Sequence, residues 1–320
     1  MRSPFSIHGP NKRTRANLLM LLAAMIWGSA FVAQRLSLHA IGPFLFTGLR
    51  FLLGSAVVLA LCLRPGARAS RGELAALLRA PALAVPGVIV GTVLAVAISL
   101  QQVGLQYTKI ANAGFISSLY VVIVPIVGVA LGHRTGPGTW LGAALAIAGM
   151  YCLSGSDSFV VQSGDLYQLG GAIVVSLQVL LIGRFARSRD ALALAFVQFA
   201  TCGVLCLLVA IFSEPIRASS IAVALPTILY GGALSVGIGY TIQVVAQRDA
   251  APAHAAMIFS MEGVFAALAG WLVLGETLSS RAIGGCALML AALIVCQYLP
   301  NRRIAGASAS KRPDFAAAEH

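Results

Sequence analysis

The chain has 320 residues, 59% of them hydrophobic and only 10% charged, and its mean hydropathy is +0.90. A water-soluble domain of this length carries about 25% charged residues, so too little polar surface exists here to cover a soluble globule, and the composition is that of an integral membrane protein. The net charge of +12 does not point to a nucleic-acid partner, because the basic residues lie in short loops and tails between apolar runs, where they orient helices in a bilayer.

A helix that spans a bilayer needs about 20 mainly apolar residues. Ten segments qualify: 17–35, 43–63, 82–107, 112–132, 138–154, 165–184, 191–212, 222–247, 253–274 and 281–299. They are too long for barrel strands of about 10 residues and do not alternate, which leaves an all-α integral membrane fold with ten transmembrane helices. Residues 1–16 form a basic tail. The tail and the first apolar run look like the start of a signal peptide, but the run has spanning length and nine more follow, so it reads as a retained helix. Only "TKIA" separates the third and fourth segments, which predicts a tight turn at the membrane surface. Residues 300–320 are Ala/Ser-rich with scattered charge and read as a disordered tail. With the amino terminus in the cytoplasm, 17 Lys and Arg fall inside and 4 outside (Arg35, Lys109, Arg217, Arg281); Arg50, within a span, completes the 22. That bias fits ten spans with both termini cytoplasmic.

The chain also repeats itself. "ISLQQVGLQY" from Ile98 carries amides inside an apolar run, and "YTIQVVAQRD" from Tyr240 carries them at the same spacing, pairing Gln102 with Gln243 and Gln106 with Gln247. "LRFLLG" around Arg50 matches "VQFATCG" around Gln198, and "LGHRTGPGTWLGAALAIAG" from Leu131 matches "LGETLSSRAIGGCALMLAA" from Leu274, at offsets of 141 to 148. Residues 17–154 and 165–299 thus read as two five-helix repeats joined by a linker at 155–164. Five is odd, so the second repeat enters the membrane from the opposite side, giving the inverted repeat that places a substrate site near the midplane in many secondary transporters. Spacings of three and four put each set of glutamines on one helix face. The two stripes are expected to face each other across a central path; the alternative is that they only tie helices together.

On these pieces the chain resembles the drug/metabolite transporter superfamily, specifically its EamA-type members with ten helices. The matching stretches are "IWGSAFVAQR", "GPFLFTGLRFLLG" and "SMEGVFAALAGWLVLGETLSSRAIGGCALMLAALIV". The sequence departs from the family pattern at Glu262-Gly263, where a Glu-Pro pair is common, and Pro125 is the nearest counterpart in the first half. The resemblance implies transport of small metabolites, often amino acids, driven by proton or substrate gradients.

Glu262 is the one acidic residue placed well inside a span. An ionised carboxylate costs roughly 2.5–3.5 kcal/mol at that depth, which marks it as a candidate to bind a substrate ammonium group or to carry a proton. Arg50, the one basic residue deep in a span, is expected as its charge partner, although a guanidinium also suits a carboxylate. Trp27 is expected as an apolar or cation–π wall. Tyr120, Tyr240, Gln102, Gln106 and Gln243 complete the expected substrate-binding set, with Ser117, Ser118 and Ser260 as weaker polar neighbours that can bond their own backbone. Glu276, with Thr277 or Ser279, is expected to cap the last span, and His254 to lie at the inner interface. The Gly-rich "GGALSVGIG" is expected to allow close helix approach or bending.

The six cysteines, all within apolar runs and without a C-x-x-C pair, read as small hydrophobes. There is no H-E-x-x-H and no G-x-x-x-x-G-K-[ST], so neither an enzyme, a metal, a cofactor nor a nucleotide is expected. The expected function is a secondary transporter exporting a small, amino-acid-like metabolite across a bacterial cytoplasmic membrane, coupled to protons or by exchange, as a monomer or homodimer. The alternative is a passive facilitator or channel for small polar solutes.

Overall fold

The computed structural model describes residues 10–79, 84–108, 110–132, 135–153, 162–248, 250–275 and 279–298. The expected tail 300–320, residues 1–9, most of the linker, and Glu276 and Thr277 lie outside them. Helical segments answer to all ten expected spans, in chain order α1 (Pro10–Ser37), α2 (Pro43–Leu63), α4 (Val85–Gly104), α5 (Ile110–Ser117) with α6 (Tyr120–Ala130), α7 (Pro137–Leu153), α8 (Ser163–Phe185), α9 (Ala191–Ser213), α10 (Ala218–Leu229) with a π-helix (Tyr230–Tyr240) and α11 (Thr241–Gln247), α12 (Pro252–Phe259) with α13 (Glu262–Leu274), and α14 (Ser280–Tyr298). Among the described residues eight of these helices are long and apolar enough to cross a membrane; α7 and α14, the fifth of each half, are not among them.

Local chemistry sets the ends. Proline opens α2, α4 and α12 within their first two positions, where its missing N–H is no loss. Asp190 caps α9 by accepting from the Leu192 and Ala193 amides at 3.1 and 3.0 Å. Ser279 Oγ accepts from the Ala282 amide at 3.1 Å, making it the cap of α14. Glu214, at the end of α9, caps a neighbour: its carboxylate oxygens accept from the Phe44 and Leu45 amides at the start of α2, each at 2.8 Å. The expected turn at "TKIA" falls partly outside the described residues at Lys109; α4 closes at Gly104, turns and bends cover 105–108, and α5 opens at Ile110.

An additional helix, α3 (Arg68–Arg79), occupies what the sequence reads as a loop. Twelve residues mixing charge with leucine are too short to span. Leu74 instead packs on the core, and Glu73 pairs with Arg189 at 3.4 Å.

The packing is symmetric under exchange of the halves. α2 lies against α9, and α7 against α14; α4 contacts α8 as α1 contacts the π-helix; α1 contacts α13 as α8 contacts α5 and α6. Lipid offers no hydrophobic drive between helices, so close backbone approach has to hold them together. Glycine supplies it between α7 and α14: a Cβ on Gly149 would lie 2.7 Å from the Gly285 carbonyl oxygen.

Two departures from regular helix matter for the site. The fourth span breaks at Ser118–Leu119 and the ninth at Ser260–Met261, the same place in each repeat. Three-residue hydrogen bonds tighten both breaks, Val121 N to Ser118 O at 3.1 Å and Gly263 N to Ser260 O at 3.2 Å. The other departure is the π-helix, which covers "GGALSVGIG" and has no counterpart in α4. Its glycines allow the expected close approach: a Cβ on Gly232 would meet the Leu53 side chain at 2.6 Å, and one on Gly239 would meet Trp27 Nε1 at 2.8 Å.

Candidate functional site: a cavity at the helix breaks

The second half-helices of the two breaks begin at one central cavity, lined by residues of both repeats. Tyr120 opens α6 and Glu262 opens α13, so equivalent residues of the two repeats meet there. The Tyr120 hydroxyl donates to Glu262 Oε1 at 3.1 Å, and both side chains are buried. Burial opposes a charge on Glu262, whereas the donated hydrogen bond and the amino-terminal end of α13 favour one.

One wall is aromatic. Trp27 packs against Tyr240 and Phe259 with ring centroids 4.6 and 5.1 Å apart, and Tyr240 continues to Phe51 at 5.6 Å. Trp27 Nε1 donates to the Ser235 carbonyl of the π-helix at 3.3 Å, which fixes the indole. Nearby, the Ser29 and Tyr230 hydroxyls are 2.5 Å apart.

The amides divide differently from the sequence reading. Gln243 reaches the cavity and forms a reciprocal pair with Gln178 of α8, at 3.3 and 3.4 Å. Gln102 lies behind the wall and donates to the Gln34 carbonyl of α1 at 3.2 Å. Gln247 does the same to the Val179 carbonyl of α8 at 3.3 Å. Gln106 lies beyond the end of α4 and is exposed. The two stripes therefore do not face each other across a path. In each half the third span uses its glutamine to grip the first span, as interhelical glue. The physical reason is that α4 ends at Gly104, and helix rotation turns Gln101 to the cavity in place of its neighbour Gln102. Gln101 donates to Ser117 Oγ at 3.0 Å, Ser117 donates to Gln168 Oε1 at 2.9 Å, and Gln168 returns to the Gln101 carbonyl at 2.8 Å.

Arg50 also lines the cavity, but it is not the charge partner of Glu262. Among the described residues the one ion pair is Glu73 with Arg189. The Arg50 guanidinium instead sits over the Phe46 and Phe51 rings, 5.1 and 5.3 Å from their centroids.

The weaker candidates take ordinary roles. Ser260 Oγ bonds its own backbone at Met257 O, 2.8 Å away, and His254 Nε2 lies 3.0 Å from Asn17 Oδ1, joining α12 to α1. Sequence reasoning missed Gln178, Gln101, Gln168, Ser235 and Phe259. For Gln178 and Gln168 a signal existed, since each is an amide within the sixth apolar run.

The model of the EamA-like transporter family matches residues 14–155 and 162–297. An uncharacterized transporter of Archaeoglobus fulgidus is 29% identical over 296 residues, which cover 89% of this chain and 86% of that protein. A solved crystal structure has the same fold, with a TM-score of 0.73 at 24% identity, covering 91% of this chain and 99% of the other. Two family matches that together take in both halves of a helical membrane fold make the conclusion plain: this chain belongs to the EamA-like transporter family.

Proposed function

We propose that the protein is a secondary transporter that exports a small, amino-acid-like metabolite from the cytoplasm of a bacterium, with both termini cytoplasmic and proton movement coupled at Glu262. The repeats 17–154 and 165–299 act as the two units that rock against each other around the cavity, in the manner of other inverted-repeat carriers. Trp27, Tyr120, Tyr240 and Gln243 contact the substrate.

The observation that carries this reading is the hydrogen bond from Tyr120 to Glu262. It joins the broken spans of opposite repeats at the central cavity, so moving one repeat against the other has to remake it. A proton on Glu262 removes the charge that the bilayer interior penalises. Substrate and proton then compete for, or share, one carboxyl group.

The test is flux in proteoliposomes that contain an internal pH dye and a labelled panel of amino acids and small metabolites. The expected result is saturable substrate flux accompanied by proton movement, with the proton movement lost in Glu262→Gln at normal expression. Proton-linked flux that persists in Glu262→Gln refutes the coupling role, and non-saturable flux points to a passive facilitator.

A further inference from the structure

Arg50 is 2% exposed, and among the described residues it makes no hydrogen bond and no ion pair. Its Nε is out of reach of solvent and has no acceptor. Buried charges without partners are rare because desolvation is not repaid. Glu262, the acid that shares the cavity, accepts from Tyr120 and makes no ion pair with Arg50. The Phe46 and Phe51 rings attract the cation but do not neutralise it. The π-helix comes close on the other side without offering a side chain, since a Cβ on Gly231 would lie 3.3 Å from Arg50 Cδ. A cation held this way, at the wall of a cavity, can be matched by an anion that enters the cavity.

Resting on the transport reading above, we propose that Arg50 is the residue that recognises the substrate, and that it does so through a carboxylate. The planar guanidinium fork matches a carboxylate in two parallel hydrogen bonds, which an amide or an alcohol cannot reproduce. The aromatic wall of Trp27, Tyr240 and Phe259 accepts an apolar body attached to that carboxylate. The carboxylate belongs either to an amino acid, whose ammonium group then faces Glu262, or to an amine-free organic acid, whose charge balances Arg50 while Glu262 carries a proton.

The experiment measures binding rather than flux, so that it stands apart from the coupling test. Purified full-length protein in nanodiscs is titrated with matched pairs: phenylalanine and phenylalaninamide, phenylacetate and phenylacetamide. The expected result is that at least one acid binds about tenfold or more tightly than its amide, the worth of one charge-assisted hydrogen bond. Arg50→Gln brings that ratio close to one, and Arg50→Lys keeps a reduced preference because the charge remains and the fork is lost. Preference for phenylalanine alone assigns an amino acid, and equal preference in both pairs assigns an organic acid; either supports carboxylate recognition. Equal binding of acid and amide in every pair, no binding of either acid, or an acid preference that survives in Arg50→Gln overturns it. Acid preference retained in Glu262→Gln, together with unchanged proton flux, would sink the coupling role and leave Arg50 standing.

Discussion

The reciprocal amide pair between Gln178 and Gln243 separates a structural role from a functional one. Both side chains are buried, and the two contacts, 3.3 and 3.4 Å, are at the long end for hydrogen bonds. Gln243→Leu strands the Gln178 amide in the protein interior, which costs about 1–3 kcal/mol in a dry core. In membranes such pairs couple by about 0.6 kcal/mol on average and about 1.7 at most, because the unfolded state in lipid also finds partners. A cost of about 1 kcal/mol for each single change is therefore expected. Gln178→Leu/Gln243→Leu removes both partners and leaves two apolar side chains of similar shape, so it is expected to cost at least about 0.6 kcal/mol less than the sum of the singles. Reversible denaturation in mixed micelles measures the cycle, and liposome flux is measured on the same variants. If the pair also reads the substrate, the double variant recovers stability but not flux. Additive single costs would refute the pairing, and full recovery of flux would refute the substrate role of Gln243.

The remaining predictions concern the frame of the cavity. Gly149→Ala places a methyl group 2.7 Å from the Gly285 carbonyl oxygen and 2.9 Å from the Met289 amide nitrogen, so α7 and α14 must separate. A loss of about 1–3 kcal/mol in detergent unfolding is expected, whereas Gly170→Ala, which meets only Leu100 Cδ1 at 3.5 Å, is expected to stay within about 0.5 kcal/mol of the parent. Glu214→Ala removes the acceptor of two amides at the start of α2 and is expected to cost about 1 kcal/mol in the same assay, with faster hydrogen exchange confined to the Phe44 and Leu45 amides.

How much of this was legible in the residues differs by scale. The membrane class, the ten spans and the repeat follow from transfer free energies that add along a helix, so a one-dimensional scan recovers them. Glu262, Tyr120, Trp27 and Tyr240 were legible as polar or aromatic residues at depth, and all four line the cavity. The identity of their partners was not. Gln101 and Gln102 are neighbours in "LQQV", and only the rotation of α4 decides that the first faces the cavity and the second grips α1. Arg50 and Glu262 are the two charges that the sequence places deep in spans, and pairing them is the natural expectation; tertiary packing keeps them apart and gives the acid to Tyr120 instead.

The sequence by itself determined that this chain is a helical membrane protein of two related halves, because hydrophobicity and its spacing are properties of each segment alone. Only the tertiary structure decided that both broken spans open on one cavity, which amides line it, and that a buried guanidinium there has no acidic partner among the described residues, because those depend on the rotation and approach of helices more than 100 residues apart in the chain.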